Sequence, residues 1–366
     1  MLLIDNATVS QLLTMEMTMA ALEQSYLDLA RGRGICRPRI DVSIPTGDPA
    51  REYRWGTMEG GSSGGYFAIR MKSDIIYHAT APDGTRTQEK YCQRPGLYCG
   101  LILLTSVETG EPLALINDGV LQHMRVGGDG GLGVKFMARG DAAVVGMLGS
   151  GGMADTHMLS FTQARKIRKL QAYSPTKANR EAFGRRMAER HGIEVQVCDR
   201  PEQVYRGADI VASLTDAAAP VLDGTLLEPG THVVNIGGGG LPDRATIERV
   251  DVYLRFGDAP PPQGHEDWTL DDEYLSWRVA AAASGPARKA KRAHGALLPE
   301  KRVTLRELVD GLKPGRTADT QITWSERGNL QGAQFHAVAG KVYEAARAAS
   351  LGHELPTEWF LQTVRN

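Results

Sequence analysis

The sequence lacks the features that mark secreted, disulfide-stapled and membrane-spanning proteins. It has only four cysteines in 366 residues, with no CxxC pair and no zinc-binding spacing among them. We therefore expect reduced thiols in a cytoplasmic protein. No basic segment precedes the short apolar run at the N-terminus, unlike in a signal peptide. No apolar run approaches the roughly 20 residues that a membrane span requires, so we expect no membrane association.

An excess of charge of either sign is also absent. The formal net charge is −1, from 42 basic and 43 acidic residues. We expect no nucleic-acid partner, because proteins that bind nucleic acid carry a basic surface. The basic run at 287–292 is interpreted as a solvated helix face. Hydrophobic residues make up 42% of the chain, enough for a substantial core, and the length predicts either two domains or one large domain with an embedded unit.

Alternating apolar residues predict mainly β-structure over the first third of the chain. A short strand at 2–4 and a helix that ends near Gly32 come first, and strands then follow at 39–44, 66–72, 100–107 and 113–117. Residues 79–99 are polar and rich in turn formers, so we predict a long loop there. Such a loop is either a lid that contacts a substrate or a solvated excursion.

The pattern changes after Asp118, where strands begin to alternate with helices. The predicted strands lie at 142–148, 169–173, 194–198, 210–214, 232–236 and 252–256. The predicted helices lie at 120–139, 152–164 and 177–191, with an amphipathic helix at 332–351 near the C-terminus. Alternation of this kind is typical of a parallel sheet with helices on both faces.

A glycine-rich turn follows the first of these strands and opens a helix. The turn consists of Gly149, Ser150, Gly151, Gly152, Met153 and Ala154, which match G-x-G-x-x-A. In this pattern the first glycine permits a tight turn, the second lets the backbone approach a pyrophosphate, and the alanine keeps the helix close to the sheet. Free N–H groups at the helix start then face the phosphate charge. The alternative is a glycine-rich turn without a ligand.

The end of the next strand indicates which dinucleotide is bound. An NAD site usually has an acidic residue there for the ribose hydroxyls, whereas this sequence offers Ser174, Thr176, Lys177 and Arg180. Hydroxyls and cations suit a 2′-phosphate, which a carboxylate would repel. We therefore favour NADP, with NAD as the alternative. In the opposing interpretation, Lys177 and Arg180 only cap and solubilise the helix.

Several further segments, in this order and spacing, resemble the ornithine cyclodeaminase/μ-crystallin family. They are Asp118–Val126 (DGVLQHMRV), Ala208–Thr215 (ADIVASLT), Gly230–Gly237 (GTHVVNIG), Leu305–Arg316 (LRELVDGLKPGR) and Gln321–Trp324 (QITW). The resemblance implies an α/β protein, in which a Rossmann doubly wound parallel sheet is inserted into a β-rich α+β substrate and dimerisation domain. We expect the substrate domain at 1–118 plus 319–366, the dinucleotide domain at 119–318, and a homodimer.

The resemblance also implies a substrate site for an α-amino acid or for the imine of an α-keto acid. Arg39, Lys72 and Arg125 match the basic positions that hold the substrate carboxylate, which an arginine fork binds through two charge-assisted hydrogen bonds. Lys72 is the candidate proton donor. The alternative is that these residues are surface charges at strand or helix ends. The matched segments further imply cofactor contacts from Arg125, Ser213, Thr215, Asn235 and Gly237.

Departures from the family pattern favour one reaction over another. Gly239 stands where cyclodeaminases carry an aspartate, and the following Leu-Pro-Asp243 resembles the μ-crystallin branch, whose members reduce ketimines. Asp243 is a second candidate proton donor, and Val126 replaces a threonine of the pattern. We therefore predict an NADP-dependent imine reductase or amino-acid dehydrogenase. The alternatives are a cyclodeaminase-like lyase that uses NAD catalytically and a non-catalytic protein that binds a nucleotide or another small ligand.

Overall fold

Two β-sheets organise the chain, as a computed structural model describes it for residues 1–80, 86–217, 220–236, 242–264, 274–279 and 299–364. The strands are β1 (Leu2–Ile4), β2 (Gly34–Cys36), β3 (Arg39–Pro45), β4 (Arg51–Ser62), β5 (Tyr66–Thr80), β6 (Arg86–Tyr91), β7 (Cys99–Ser106), β8 (Pro112–Asn117), β9 (Val144–Leu148), β10 (Lys169–Tyr173), β11 (Glu194–Val197), β12 (Ile210–Ser213), β13 (His232–Asn235), β14 (Val252–Arg255), β15 (Tyr274–Arg278), β16 (Arg302–Thr304), β17 (Thr323–Glu326) and β18 (His353–Glu354). The α-helices are α1 (Asn6–Leu12), α2 (Met15–Ala30), α3 (Gly119–Met137), α4 (Gly152–Ala164), α5 (Lys177–His191), α6 (Arg244–Arg249), α7 (Leu305–Val309) and α8 (Gln331–Ala349). The basic run at 287–292 lies outside the described residues.

The first sheet is mainly antiparallel and runs in the order β15-β3-β4-β5-β7-β8-β1-β18, with β2 beside β4 and β6 beside β5. Burial alternates along β5, so that every second side chain from Ala68 to Ile76 is buried. Helices α2 and α8 pack on this side of the sheet, where Leu22, Leu104 and Phe335 share one apolar core. The sheet therefore has one covered face and one more open face.

Strand β6 occupies part of the segment 79–99 that is predicted to be a loop. It pairs antiparallel with the distal half of β5, from Ile75 opposite Tyr91 to Thr80 opposite Arg86. The prediction of a loop is therefore wrong for residues 79–80, 86–91 and 99, which lie in β5, β6 and β7. The sequence does not reveal this strand, because Arg-Thr-Gln-Glu-Lys-Tyr lacks the apolar alternation that identifies a half-buried strand.

The second sheet is parallel and runs in the order β11-β10-β9-β12-β13-β17-β14-β16. Separate apolar cores lie against it, one containing Phe161 and Phe183 and the other containing Tyr253 and Trp324. The predicted fold class is confirmed: the protein is α/β, with a Rossmann-type parallel sheet and a β-rich second domain. Among the described residues, no helix is both long and apolar enough to cross a membrane.

Two strands cross the predicted domain boundaries. Strand β17 lies between β13 and β14 in the parallel sheet, although the predicted boundary at 318/319 places it in the substrate domain. Strand β15 pairs with β3 in the first sheet, although the prediction places its residues in the dinucleotide domain. Neither strand is predicted from the sequence, and periodicity along the chain does not show which sheet a strand joins.

Close packing of α3 against α4 connects the two domains. A Cβ atom at Gly127 would lie 2.7 Å from the backbone of Thr156, and one at Gly130 would lie 2.5 Å from the ring of His157. Only glycine permits this approach. The packing therefore accounts for the glycines at these two positions of α3. The packing places the first half of α3, including Arg125, beside the start of α4.

Candidate active site

The glycine turn after β9 has the geometry of a phosphate cradle. Gly149 has φ +124°, and a Cβ atom there would lie 2.3 Å from the carbonyl oxygen of Leu214. Gly151 is the N-cap of α4, no side chain caps the helix, and a Cβ atom at Gly151 would meet nothing within 4 Å. Helix N-terminal N–H groups beside open space form an anion-binding position.

The remaining residues of the turn support this cradle. Gly152 begins α4 close to His123, and a Cβ atom on it would lie 3.0 Å from the imidazole. Met153 is partly buried, whereas Ala154 is fully buried in the core beneath the turn. Ala154 therefore keeps α4 close to the sheet, as the motif predicts.

The loop after β10 is braced by Arg180. Its guanidinium donates hydrogen bonds to the carbonyl oxygens of Ser174 at 3.2 Å and Pro175 at 3.3 Å, and to the Asp199 carboxylate at 2.9 Å. The hydroxyl of Ser150 donates to that of Ser174 at 2.9 Å, which joins the two loops. Arg180 thus lies near the predicted cofactor position, but these guanidinium N–H groups bind groups of the protein.

Two further predicted cofactor residues face solvent on this loop. Thr176 is the N-cap residue of α5 and is exposed, with no side-chain capping bond. Lys177 follows it with 74% of its side chain exposed, and its Nζ atom lies 3.8 Å from the carboxylate of Glu181. These two residues are therefore accessible to a ligand at the carboxyl end of β10.

Buried polar atoms without partners lie at the carboxyl ends of β12 and β13. Within the described residues, the Ser213 hydroxyl and the Asn235 amide nitrogen have no hydrogen-bond partner. Thr215 lies nearby, and its hydroxyl accepts from the Ala217 N–H at 2.9 Å. Buried polar groups without partners are rare, and ligands of α/β sheets bind at this edge, so the residues present fit a dinucleotide. Gly237 lies outside the described residues.

Lys72 lies on the buried face of β5. Lys72 pairs with Gly56 on β4, which in turn pairs with Asp41 on β3. A Cβ atom at Gly56 would lie 2.7 Å from both the Lys72 Cε atom and the Asp41 carboxylate. The glycine therefore leaves room for these two side chains. The Lys72 Nζ atom donates to the carboxylate of Asp74 at 2.8 Å.

Arg39 lies beside Lys72 and changes its acidity. Arg39 forms a two-point ion pair with Asp41, in which both N–O distances are 2.7 Å. Burial, followed by the positive charge of Arg39, lowers the pKa of Lys72 to about 8 against the opposing effects of Asp74 and Asp41. Lys72 can therefore exchange a proton near neutral pH.

Arg70 is a buried cation that the sequence analysis does not identify. It points to the same side of β5 as Lys72, and its Nε and Nη2 atoms lie 2.6 and 2.5 Å from the carboxylate of Asp118. Asp118 in turn packs against Gly100, where a Cβ atom would lie 2.0 Å from the carboxylate. The shared strand parity of positions 70 and 72 is the signal that could have found it.

Arg125 is brought to the same face by α3 and α8. Its guanidinium carbon lies 4.8 Å from the centroid of the Phe335 ring, and that of Arg70 lies 5.4 Å from the same centroid. One aromatic ring is therefore shared by two guanidinium groups. Arg70 and Arg125 are thus neighbours across this ring, and Lys72 lies two residues from Arg70 on the same face of β5. We refer to these three residues as the cationic cluster.

The surroundings of Arg125 are buried and lack a paired acid among the described residues. Its donors reach the side-chain oxygens of Gln122 and Gln334. Burial, followed by the charges of Arg327 and Arg70, holds the pKa of Arg125 well below its ordinary value. The guanidinium is therefore the member of the cluster whose charge is least offset.

Asp243, the second candidate proton donor, is used as a helix cap. It is the N-cap of α6, where its carboxylate accepts from the Ala245 N–H at 3.1 Å and from the Thr246 hydroxyl. The same carboxylate accepts from the Gly224 N–H at 3.1 Å. These bonds fasten α6 to a neighbouring loop. The position of Gly239 lies outside the described residues.

The cluster suits an organic anion rather than a metal ion. The described residues contain no group of three His, Cys, Asp or Glu side chains that could hold a metal. Arginine and lysine side chains donate to carboxylates, and burial strengthens that interaction. The candidate site thus consists of a glycine turn with the geometry of a phosphate cradle and a buried cationic cluster.

Known proteins resemble this chain along nearly its whole length. It is 25% identical over 356 residues to an alanine dehydrogenase of Archaeoglobus fulgidus, in an alignment that covers 97% of this chain and 98% of the relative. The structure of Thermococcus litoralis Δ1-pyrroline-2-carboxylate reductase with NADH and L-proline matches with a TM-score of 0.74 and 22% identity, covering 97% of this chain and 100% of the other. An archaeal alanine dehydrogenase dimer with bound NAD matches with a TM-score of 0.72 and 22% identity, over 97% and 98% of the two chains.

A family model places the chain more directly. The model of the ornithine cyclodeaminase/mu-crystallin family matches residues 94–350, which is more than half of the sequence. This range includes the glycine turn, Arg125 and α8. The protein belongs to the ornithine cyclodeaminase/mu-crystallin family.

Proposed function

We propose that the protein is an NAD(P)H-dependent enzyme that reduces the imine of an α-keto acid or, in reverse, oxidises an α-amino acid. One observation supports this proposal above the others: the buried guanidinium of Arg125 shares the Phe335 ring with Arg70, which lies on the same face of β5 as Lys72, a lysine whose pKa is about 8. A substrate of this class offers the cluster a carboxylate and a nitrogen that gains or loses a proton. The alanine dehydrogenase and the pyrroline-2-carboxylate reductase among the relatives support the same substrate class.

The substrate carboxylate binds to Arg125 in this proposal. Arg39 and Lys72 already have carboxylate partners, so their charges are largely offset. Arg125 donates to amide oxygens, and its charge therefore attracts an anion most strongly. Arg39 adds positive potential and keeps Asp41 in place beside the substrate.

Lys72 supplies the proton. In the reducing direction its ammonium donates to the substrate nitrogen, and in the oxidising direction the neutral amine accepts the proton again. The glycine turn at residues 149–154 would hold a reduced nicotinamide dinucleotide, which would supply the hydride for reduction of the C=N bond. Asp74 holds Lys72 at 2.8 Å and so fixes the position of the proton. Asp243 has no part in this mechanism, because its carboxylate is used as a helix cap.

We further propose NADP as the preferred cofactor. Support comes from Thr176 and Lys177, which are exposed at the carboxyl end of β10, where residues 173–177 include no acid. Lys177 is the cation that can approach a 2′-phosphate, because Arg180 already donates to the protein around it. NAD is the alternative cofactor.

A homodimer is also proposed, formed through the outer face of the first sheet. Four apolar side chains are aligned in register across adjacent strands and are partly or largely exposed, whereas their strand neighbours Ala68, Leu104 and Ile116 are fully buried. An apolar row of this kind on a sheet face is typical of a subunit interface. The row consists of Ile69 on β5, Leu103 on β7, Leu115 on β8 and Leu3 on β1.

A cytoplasmic location completes the proposal. All four cysteines are free thiols, and two of them, Cys36 and Cys198, are buried. Thiols persist in this form in reducing compartments.

The proposed function is tested by following the absorbance of reduced nicotinamide. Purified protein is mixed with NADPH or NADH and with a panel of α-keto acids, each with ammonia or methylamine. Steady oxidation that requires both keto acid and amine is the expected result. Ammonia release from an amino acid without net oxidation would instead indicate the cyclodeaminase-like lyase.

A further inference from the structure

Arg125 is anchored by neutral amide groups. Its Nε and Nη2 atoms donate to the Gln122 side-chain oxygen at 3.3 and 2.9 Å, and its Nη1 atom donates to the side-chain oxygen of Gln334. A guanidinium has five N–H donors. Three of them are therefore directed at amide oxygens, which leaves one donor on each terminal nitrogen. That is the number that a carboxylate takes up in a two-point pair.

Gln334 also lies between Arg125 and a buried acid, Asp129. Its amide nitrogen donates to Asp129 at 3.2 Å and to the Tyr26 hydroxyl at 2.6 Å, and that hydroxyl donates to Asp129 at 2.5 Å. Burial raises the pKa of Asp129. Asp129 attracts Arg125 through space, but among the described residues no carboxylate forms an ion pair with Arg125. The Gln334 amide thus keeps the two charges apart.

Arg39, Arg70 and Lys72 are held differently, since each has a carboxylate partner. A buried charge without a counter-ion is costly, so a position that retains one is suited to a ligand that brings the opposite charge. Arg125 is the member of the cluster that meets this description. The pairs of the other cations are Arg39 with Asp41, Arg70 with Asp118 and Lys72 with Asp74.

We propose that Gln122 and Gln334 are positioning residues that hold Arg125 without neutralising it, so that the substrate carboxylate becomes its anionic partner. The identity of that anion as an α-keto or α-amino acid rests on the proposed function. A glutamate at either position would place an anion against the guanidinium at the same distance. It would then compete with the substrate for the charge of Arg125, while the volume of the side chain would hardly change.

The test is the calorimetric titration of pyruvate, and separately of its neutral analogue pyruvamide, into NADPH-saturated protein without amine. In Gln122→Glu and Gln334→Glu we expect the Kd for pyruvate to rise at least about tenfold, the loss typical of a charged hydrogen bond. The Kd for pyruvamide should change much less, because pyruvamide brings no charge. Gln196→Glu is the matched control, since Gln196 is exposed on β11 and should leave both values unchanged.

Two results would overturn the proposal: an unchanged Kd for pyruvate in both glutamate variants, or equal losses for pyruvate and pyruvamide. Gln334 is buried, and if Gln334→Glu does not fold, Gln122→Glu decides the question, because Gln122 is only half-buried. The titration requires no turnover. Wild-type protein that binds pyruvate but reduces no imine would therefore contradict the proposed function alone, whereas wild-type protein that does not bind pyruvate would contradict the anion site itself.

Discussion

Lys72 donates a 2.8 Å hydrogen bond to Asp74, and both side chains are buried on the same face of β5. The pair explains how a lysine can stay charged in the interior and still have a pKa of about 8. Burial favours the neutral amine and Asp74 favours the ammonium. The balance between these effects determines the pH range in which Lys72 can exchange a proton.

The rate of imine reduction should fall as the pH rises above about 8, because the donor ammonium of Lys72 is then lost. Oxidation of an amino acid should show the opposite dependence and rise towards the same pH, because it needs the neutral amine. In Asp74→Asn the midpoint of both profiles should move to lower pH, since Asp74 raises the pKa of Lys72. The measurement is kcat against pH in both directions. Profiles that coincide with those of wild type would contradict the assignment.

Lys72→Gln should lower kcat by at least about a hundredfold, the usual scale of a lost proton donor. Nucleotide binding should be retained, because the cradle lies on the other sheet. Lys90→Gln is the matched control, since Lys90 is exposed on β6. Similar kcat values for the two variants would show that Lys72 is not the donor.

Gly149→Ala should abolish dinucleotide binding and destabilise the fold. The residue has φ +124°, and the added methyl group would lie 2.3 Å from the Leu214 carbonyl oxygen. Strain of this kind costs about 1–3 kcal/mol in the free energy of unfolding. Thermal unfolding with and without nucleotide measures both effects. Gly140→Ala is the control, because a Cβ atom there would meet nothing within 4 Å. A Gly149→Ala variant that nucleotide still stabilises as in wild type would place the cofactor elsewhere.

Lys177→Glu should reverse the cofactor preference. A glutamate at this exposed position would repel a 2′-phosphate and could accept from the ribose hydroxyls. We expect the KM for NADPH to rise about tenfold or more, with little change for NADH. Glu181→Lys changes charge on the same helix in the opposite sense and should favour NADPH. Equal effects on both nucleotides would argue against a role in 2′-phosphate binding.

Leu103→Glu should convert the proposed dimer into a monomer. Leu103 lies in the middle of the apolar row that crosses β5, β7, β8 and β1, and a buried carboxylate without a partner there would be costly. Size-exclusion chromatography with light scattering gives the mass directly. Leu312→Glu is the control, because Leu312 is 70% exposed outside this sheet face. A dimer that survives Leu103→Glu would place the interface elsewhere.

The glycine turn and the alternation around it could be predicted from the sequence, because a phosphate cradle depends on local backbone conformation. Gly149 and Ala154 have the structural roles that the motif implies. The direction in which Arg180 points could not be predicted, because it depends on the carbonyl groups of a loop that forms only in the fold. The position of Asp243 on a helix N-terminus likewise depends on contacts with Gly224, 19 residues away in sequence.

The sequence predicts only part of the pairing of the basic residues. Asp41 and Asp74 lie two residues from Arg39 and Lys72 on the same strands, where alternation puts each carboxylate on the face of its cation, but only the register across β3, β4 and β5 brings the two ion pairs together. Arg70 shares the strand parity of Lys72, but local sequence shows neither which face of β5 is covered by helices nor that Asp118 is its partner. The neutral partners of Arg125 come from α3 and α8, and Gln334 lies 209 residues from Arg125 in sequence.

The claim that the protein reduces imines with a nicotinamide cofactor is tested most directly by the ratio of nicotinamide oxidised to amine formed. An α-keto acid and methylamine are incubated with protein and NADPH, and the N-methyl amino acid is quantified beside the loss of absorbance. We expect one NADPH to be oxidised for each amine formed, and both quantities to be lost together in Arg125→Gln. Product formation without nicotinamide oxidation, or oxidation that does not depend on Arg125, would contradict it.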